Sequence, residues 1–207
     1  MGSLRSSAPD RDLGHLDDES LAASMTGALE SGETLAGLRL NGERLSGERL
    51  RMADLRDCRL VDCDLSNAEW ERCSFDGVVL ERCRLTGFRM ADCRGADLVL
   101  RDCQARYLQL ERCRLEGVRL ERCQLPESTL MDTELPRARF TECDLSLSVV
   151  SGSRLRGADL RGCGIGGIRA TLDDLAGTIL DPEQAAALLL GHADIRVVPL
   201  GVDLTDA

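Results

Sequence analysis

The sequence predicts an all-β solenoid, and three observations predict it. A large apolar residue falls on nearly every fifth position from Leu35 to Leu180. Of these 30 positions, 27 carry Leu, Ile, Val, Met, Phe or Trp, and the exceptions are Gly95, Ala105 and Ala170. A second beat stands two residues earlier: from Ala53 to Ile168 its 24 occupants are all uncharged, and all ten cysteines fall there. The third observation is charge. Residues 20 apart alternate in sign, as in Asp62, Arg82, Asp102, Arg122 and Glu142, and again in Arg72, Asp92, Arg112 and Asp132.

A period of five matches neither a lone helix nor a flat strand, whose periods are about 3.6 and 2. Self-similarity at a fixed period marks a solenoid, in which each unit buries its apolar side only by stacking on its neighbours. Two inward residues in every five describe a short strand followed by a turn. The charge alternation places residues 20 apart side by side, because opposite charges on adjacent strands favour pairing by ~0.2–1 kcal/mol and like charges repel.

Taken in order, residues 1–32 form a polar, acidic N-terminal segment, expected to be partly disordered. Within it Asp17 to Leu29 could form a short helix, with Leu16, Leu21, Met25 and Leu29 as a stripe. Residues 33–180 form the repeat body. Glu33, Glu43 and Glu48 occupy the small inward position of the first coil. A carboxylate is costly deep in a solenoid, so this coil reads as a solvated mouth. Asp173 sits in the same phase near the other end. The body holds 30 pentapeptides. At 20 residues per coil these make about seven and a half coils, a rod roughly 36 Å long at a strand spacing of ~4.8 Å.

Residues 181–207 form a helix-strand module. Asp181 suits an N-cap, Pro182 the first helical position, and Glu183 the positive end of the dipole. A helix is expected over Glu183–Leu190 and a strand over Ile195–Leu200. Leu188, Leu189, Ile195 and Val197 are the candidates for an end cap or a dimer interface.

Composition excludes several functions. The net charge is −10, of which the two terminal segments carry −4 each and the body −2. The chain has no lysine. Direct nucleic-acid binding needs a basic surface, and none is present. The first 20 residues lack an apolar leader and no apolar run reaches 18 residues, which points to a cytoplasmic protein without a membrane span. The histidines, His15 and His192, lie one in each terminal segment, so the body offers no His-based triad. Its carboxylates lie on convex faces beside arginines, and no cleft supports acid–base chemistry. The cysteines show no Cys-x-x-Cys pair of the zinc type and read as small apolar filler. No enzyme, metal or cofactor is expected. A few outward positions are apolar: Val79 and Val99 on one column, Tyr107 and Leu147 on another.

The repeat unit resembles that of the pentapeptide-repeat proteins, whose motif is roughly Ala-(Asp/Asn)-Leu-x-x. "ADL" at Ala53–Leu55 and Ala158–Leu160 matches it, as does "CDL" at Cys63–Leu65 and Cys143–Leu145. The resemblance implies a right-handed quadrilateral β-helix with four pentapeptides per coil. The C-terminal Asp-Pro-Glu-Gln helix is similar to that of the Qnr and MfpA branch. That likeness implies a homodimer joined at its C-terminal ends, which binds DNA gyrase or topoisomerase IV as a DNA mimic and protects against quinolones. In such a dimer Asp159, Asp173, Asp174, Asp181 and Glu183 would supply an acidic centre for the partner. The alternative is a generic repeat scaffold with no topoisomerase role, since fold does not fix function.

Overall fold

Each pentapeptide is too short to pair with itself, so its backbone bonds go to the coils above and below. The computed structural model describes residues 34–191. Within them, 17 strands of three residues run from Thr34–Ala36 to Val149–Ser151. All pair in parallel with the strand 20 residues away: Asp54–Arg56 lies between Thr34–Ala36 and Ser74–Asp76.

The strands form three sheets of five, six and six strands. Leu35 and Leu55 centre the first, Leu40 and Leu60 the second, Leu50 and Trp70 the third. A fourth side, joined by single bridges from Arg44 through Asp64, Arg84, Gln104, Gln124 and Asp144 to Gly164, completes the coil. Four sides and a register of 20 are the predicted geometry. Leu55, Phe75, Leu115, Leu135 and Leu155 share one inner edge and are all buried.

The regular strands account for about six coils, fewer than the seven and a half that the pentapeptide count implies. Past Ser151 only single bridges carry the path, through Arg169 to Ile179. The cause is local. Thr171 and Asp174 bond reciprocally: Asp174 N–H donates to Thr171 Oγ1 at 3.2 Å, and Thr171 N–H donates to the Asp174 carboxylate at 3.0 Å. This capping box turns the chain into a helical turn, with Leu175 N–H bonded to Thr171 O at 3.3 Å and Ala176 N–H to Asp173 O at 3.2 Å.

Both inward beats are buried from Leu38 to Ile165, apart from the half-covered mouth residues Glu43 and Glu48 and the strand glycine Gly95. The second-beat residues that follow Gly95 and Ala105 are large, Leu98 and Leu108, and both are buried. All ten cysteines are free and buried. Titration of the native protein with a bulky thiol-labelling reagent should therefore find few reactive groups and rise to ten on denaturation; rapid bulky labelling of many native thiols would contradict the packing.

One position of the repeat has a backbone requirement that the apolar pattern does not show. The residue two places after each strand centre is left-handed throughout, from Gly37 to Gly167. Of these residues 17 are not glycine, among them Arg82, Asp102, Tyr107 and Leu147. A left-handed non-glycine residue costs about 1–2 kcal/mol, and Asn tolerates that conformation best. Leu147, at φ 59°, is exposed and branched. Leu147→Asn should stabilise the fold by about 0.5–1 kcal/mol, seen as a melting-temperature rise of about 1–4 °C.

Candidate functional site at the C-terminal end

The long sides of the rod are charge-paired. Arg82 Nε lies 2.9 Å from Asp62, Arg112 Nε 2.8 Å from Asp92, and Arg122 Nε 2.7 Å from Asp102. Each arginine reaches back one coil and grips its partner with two nitrogens. On other columns Arg49, Arg51 and Arg101 pair forward by one coil, with Glu69, Glu71 and Glu121, and Arg154 pairs back with Glu134. Such exposed pairs are each worth only ~0.2–1 kcal/mol, but they cancel the lateral field. The outward apolar positions do not join into a patch. Val79 is half-buried, Val99 is buried, and Glu127 separates Tyr107 from Leu147 in their column.

The end of the rod differs. Helix α1 (Pro182–Gly191) begins one residue before the predicted start and ends one after the predicted end. Asp181 caps it, accepting from Gln184 N–H at 2.9 Å, and Gln184 Oε1 accepts from Asp181 N–H at 3.0 Å. Gln184 is buried, and its Nε2 donates to Leu160 O at 2.6 Å and Cys163 O at 2.8 Å. It thus satisfies the Cys163 carbonyl and adds a second bond to Leu160 O, which also accepts from Cys163 N–H at 3.1 Å, locking the helix across the last bonded coil. The Asp-x-x-Gln spacing could have signalled this clamp as a capping box. Gln184→Ala should cost about 1–3 kcal/mol, because it removes the side-chain half of the capping box and takes from the Cys163 carbonyl the bond it accepts. Denaturant unfolding followed at Trp70 would measure it.

Three of the five acids expected to meet a partner are committed elsewhere. Asp159 is gripped by Arg161 through two nitrogens, at 2.9 and 2.7 Å, and its carboxyl is held down at about 2 by that bond. Asp174 is buried and accepts from Thr171, which lowers its pKa. Asp181 spends one oxygen on Gln184 and the other on Gly162 N–H at 3.0 Å. Asp173 and Glu183 are exposed. Leu172, Ile179 and Leu189 are also exposed, while Leu188 is half-buried. A groove of about 320 Å³ runs between the last coil and α1, lined by Ile165, Ile168, Ala170, Ala187 and Leu188 among others. Ile195 and Val197, the predicted strand around them and the expected helix over Asp17–Leu29 lie outside the described residues.

No helix among the described residues is long and apolar enough to cross a membrane. Residues 53–130 match the family description "Pentapeptide repeat region" and residues 132–162 match "Pentapeptide repeats (8 copies)". Together these spans take in more than half of the chain. Among curated proteins none matches. Solved structures similar to the chain include full-length QnrB1, a plasmid-mediated fluoroquinolone resistance protein, at 19% identity over 79% of this chain and 98% of that one, with a TM-score of 0.41. HetL, involved in heterocyst differentiation regulation in Nostoc sp. strain PCC 7120, is 16% identical over 80% and 95%, with a TM-score of 0.31. Rfr23 from Cyanothece 51142 is 16% identical over 77% and 99%, with a TM-score of 0.20.

Proposed function

This chain belongs to the pentapeptide-repeat family, and we propose that it is a non-enzymatic protein-binding rod that engages its partner at the C-terminal end. One observation carries the reading. Many arginines of the sides are committed to ion pairs, and the exposed apolar residues there, Met52, Tyr107, Met131 and Leu147, are spread along the rod, whereas the last 20 described residues expose Asp173 and Glu183 together with Leu172, Ile179 and Leu189. Charged groups around an apolar centre are the composition of a protein interface.

The same end supports a homodimer through Leu188 and Leu189 on α1, which would double the acid count at the centre of a longer rod. Sedimentation at micromolar concentration tests it: a dimer for the intact chain and a monomer for Leu189→Asp support the contact, and a monomeric intact chain defeats it.

The specific partner proposed is a type II topoisomerase, DNA gyrase or topoisomerase IV, met by the acidic centre in place of duplex DNA. A gyrase supercoiling assay with and without a quinolone tests this. Inhibition by the intact protein that weakens in the double variant Asp173→Asn, Glu183→Gln supports the reading. Undiminished inhibition by that variant removes the two acids from the contact, and no inhibition at all leaves the protein-binding scaffold without the topoisomerase role.

A further inference from the structure

The buried thiols form two straight columns. Cys63, Cys83, Cys103, Cys123, Cys143 and Cys163 occupy one corner of six successive coils, and Cys73, Cys93 and Cys113 another corner of three. Six of the nine share one side-chain placement. Cys83, Cys103 and Cys143 each donate, at 3.4 Å, to the carbonyl 23 residues earlier, on Leu60, Leu80 and Leu120. Cys73, Cys93 and Cys113 do the same toward Leu50, Trp70 and Met90, at 3.5, 3.3 and 3.4 Å. The register of 20 stacks the cysteines of each column at the coil spacing of about 4.8 Å, so sulfurs in the shared placement repeat at that spacing. That is too long for a disulfide, whose Cβ atoms stand about 3.8 Å apart. It is close to twice a metal–thiolate bond of about 2.3 Å.

We propose that the two columns bind soft monovalent cations of the copper(I) and silver(I) class, each ion held in line between the sulfurs of successive coils. Soft thiolate sulfur favours such ions. Zinc takes four ligands, and no group of three or more His, Cys, Asp or Glu side chains able to hold a metal exists among the described residues. A two-coordinate ion needs only two. No oxidation state changes. In the long column six thiols give up six protons to five ions, and in the short column three thiols give up three protons to two ions. Each interior thiolate bridges two ions, so each filled column keeps a single negative charge, which limits the cost of burial. Cys58 stacks between Leu38 and Val78 and has no thiol neighbour in its column. A surface groove of about 400 Å³ has Cys63 and Cys83 in its lining, and Cys163, 6% exposed, ends the long column.

Silver(I) titration of the reduced full chain, in chloride-free buffer, tests the array by native mass spectrometry, proton release and circular dichroism. The expected result is saturation at seven ions with nine protons released and the β-signal retained. Cys103→Ser splits the long column into a pair and a triplet, so saturation should fall by two ions, to five. Serine folds at this position, as buried Ser128, Ser148 and Ser153 show. Cys58→Ser should leave the count at seven. Ten ions, one per thiol, would overturn the array; so would a loss of one ion in Cys103→Ser, binding only with loss of the β-signal, or no binding to the native chain.

Discussion

Leu115→Asp should abolish cooperative folding, whereas Arg112→Ala, three residues away, should cost under ~1 kcal/mol. Leu115 is 1% exposed on the inner edge shared with Phe75 and Leu135. Truncating a buried leucine costs about 2–5 kcal/mol, and an unpaired carboxylate in its place adds several more. A domain's whole stability is only about 5–15 kcal/mol. Arg112 makes a two-nitrogen contact with Asp92, but its side chain is 50% exposed, and water replaces most of what the pair supplies. Circular dichroism and Trp70 fluorescence would read both variants, since the single tryptophan lies in the core beside Phe75 and Phe88. Similar losses for the two would mean that inside and outside have been exchanged.

Gly95→Ala is expected to be almost as damaging, although it adds one methyl group. Gly95 breaks the apolar beat at the centre of the strand Arg94–Ala96. Its φ is +150°, and a Cβ there would stand 2.2 Å from Phe75 O and 2.6 Å from Phe75 N. Backbone atoms cannot swing aside as a side-chain tip can. The strand must leave the ladder to admit the methyl, and overpacking combined with left-handed strain costs about 2–5 kcal/mol. Gly42→Ala is the control. With φ +75° and nothing within 4 Å, it carries only the backbone cost of about 1–2 kcal/mol. Equal denaturation midpoints for the two variants would refute the close contact at Phe75.

Much of the architecture was legible because a solenoid writes its geometry in one dimension. The five-residue beat identified the inner residues, and the alternation of Asp62, Arg82 and Asp102 identified the residues that touch. Asp181 was legible as a cap for the same reason that it is a poor partner ligand: its carboxylate is spent on backbone N–H groups. What stayed hidden depends on competition between neighbours. Asp159 reads as an open acid until Arg161 folds onto it. Asp174 reads as a surface charge until Thr171 draws it into a helical turn that ends the strand stacking. Gly95 reads as a missing leucine, although the close approach of Phe75 leaves no room for any side chain. The left-handed turn residue carries no apolar signal, since arginine, aspartate, tyrosine and leucine all occupy it.

The exclusive pairing of residues 20 apart makes the rod a ruler graduated in whole coils. Deleting five residues from the body would carry every later residue round by one side, so that Arg82 would no longer face Asp62 and the arginine columns would meet those of another side. Removing or duplicating 20 residues keeps every residue on its own side and moves the C-terminal end by one graduation, about 4.8 Å, but it breaks the alternation of charge: loss of residues 83–102 would stack Arg82 on Arg122. Length can therefore change without disturbing the exterior only in steps of two coils, 40 residues. A partner that touches the rod at two places would sense a change of one coil as a discrete mismatch.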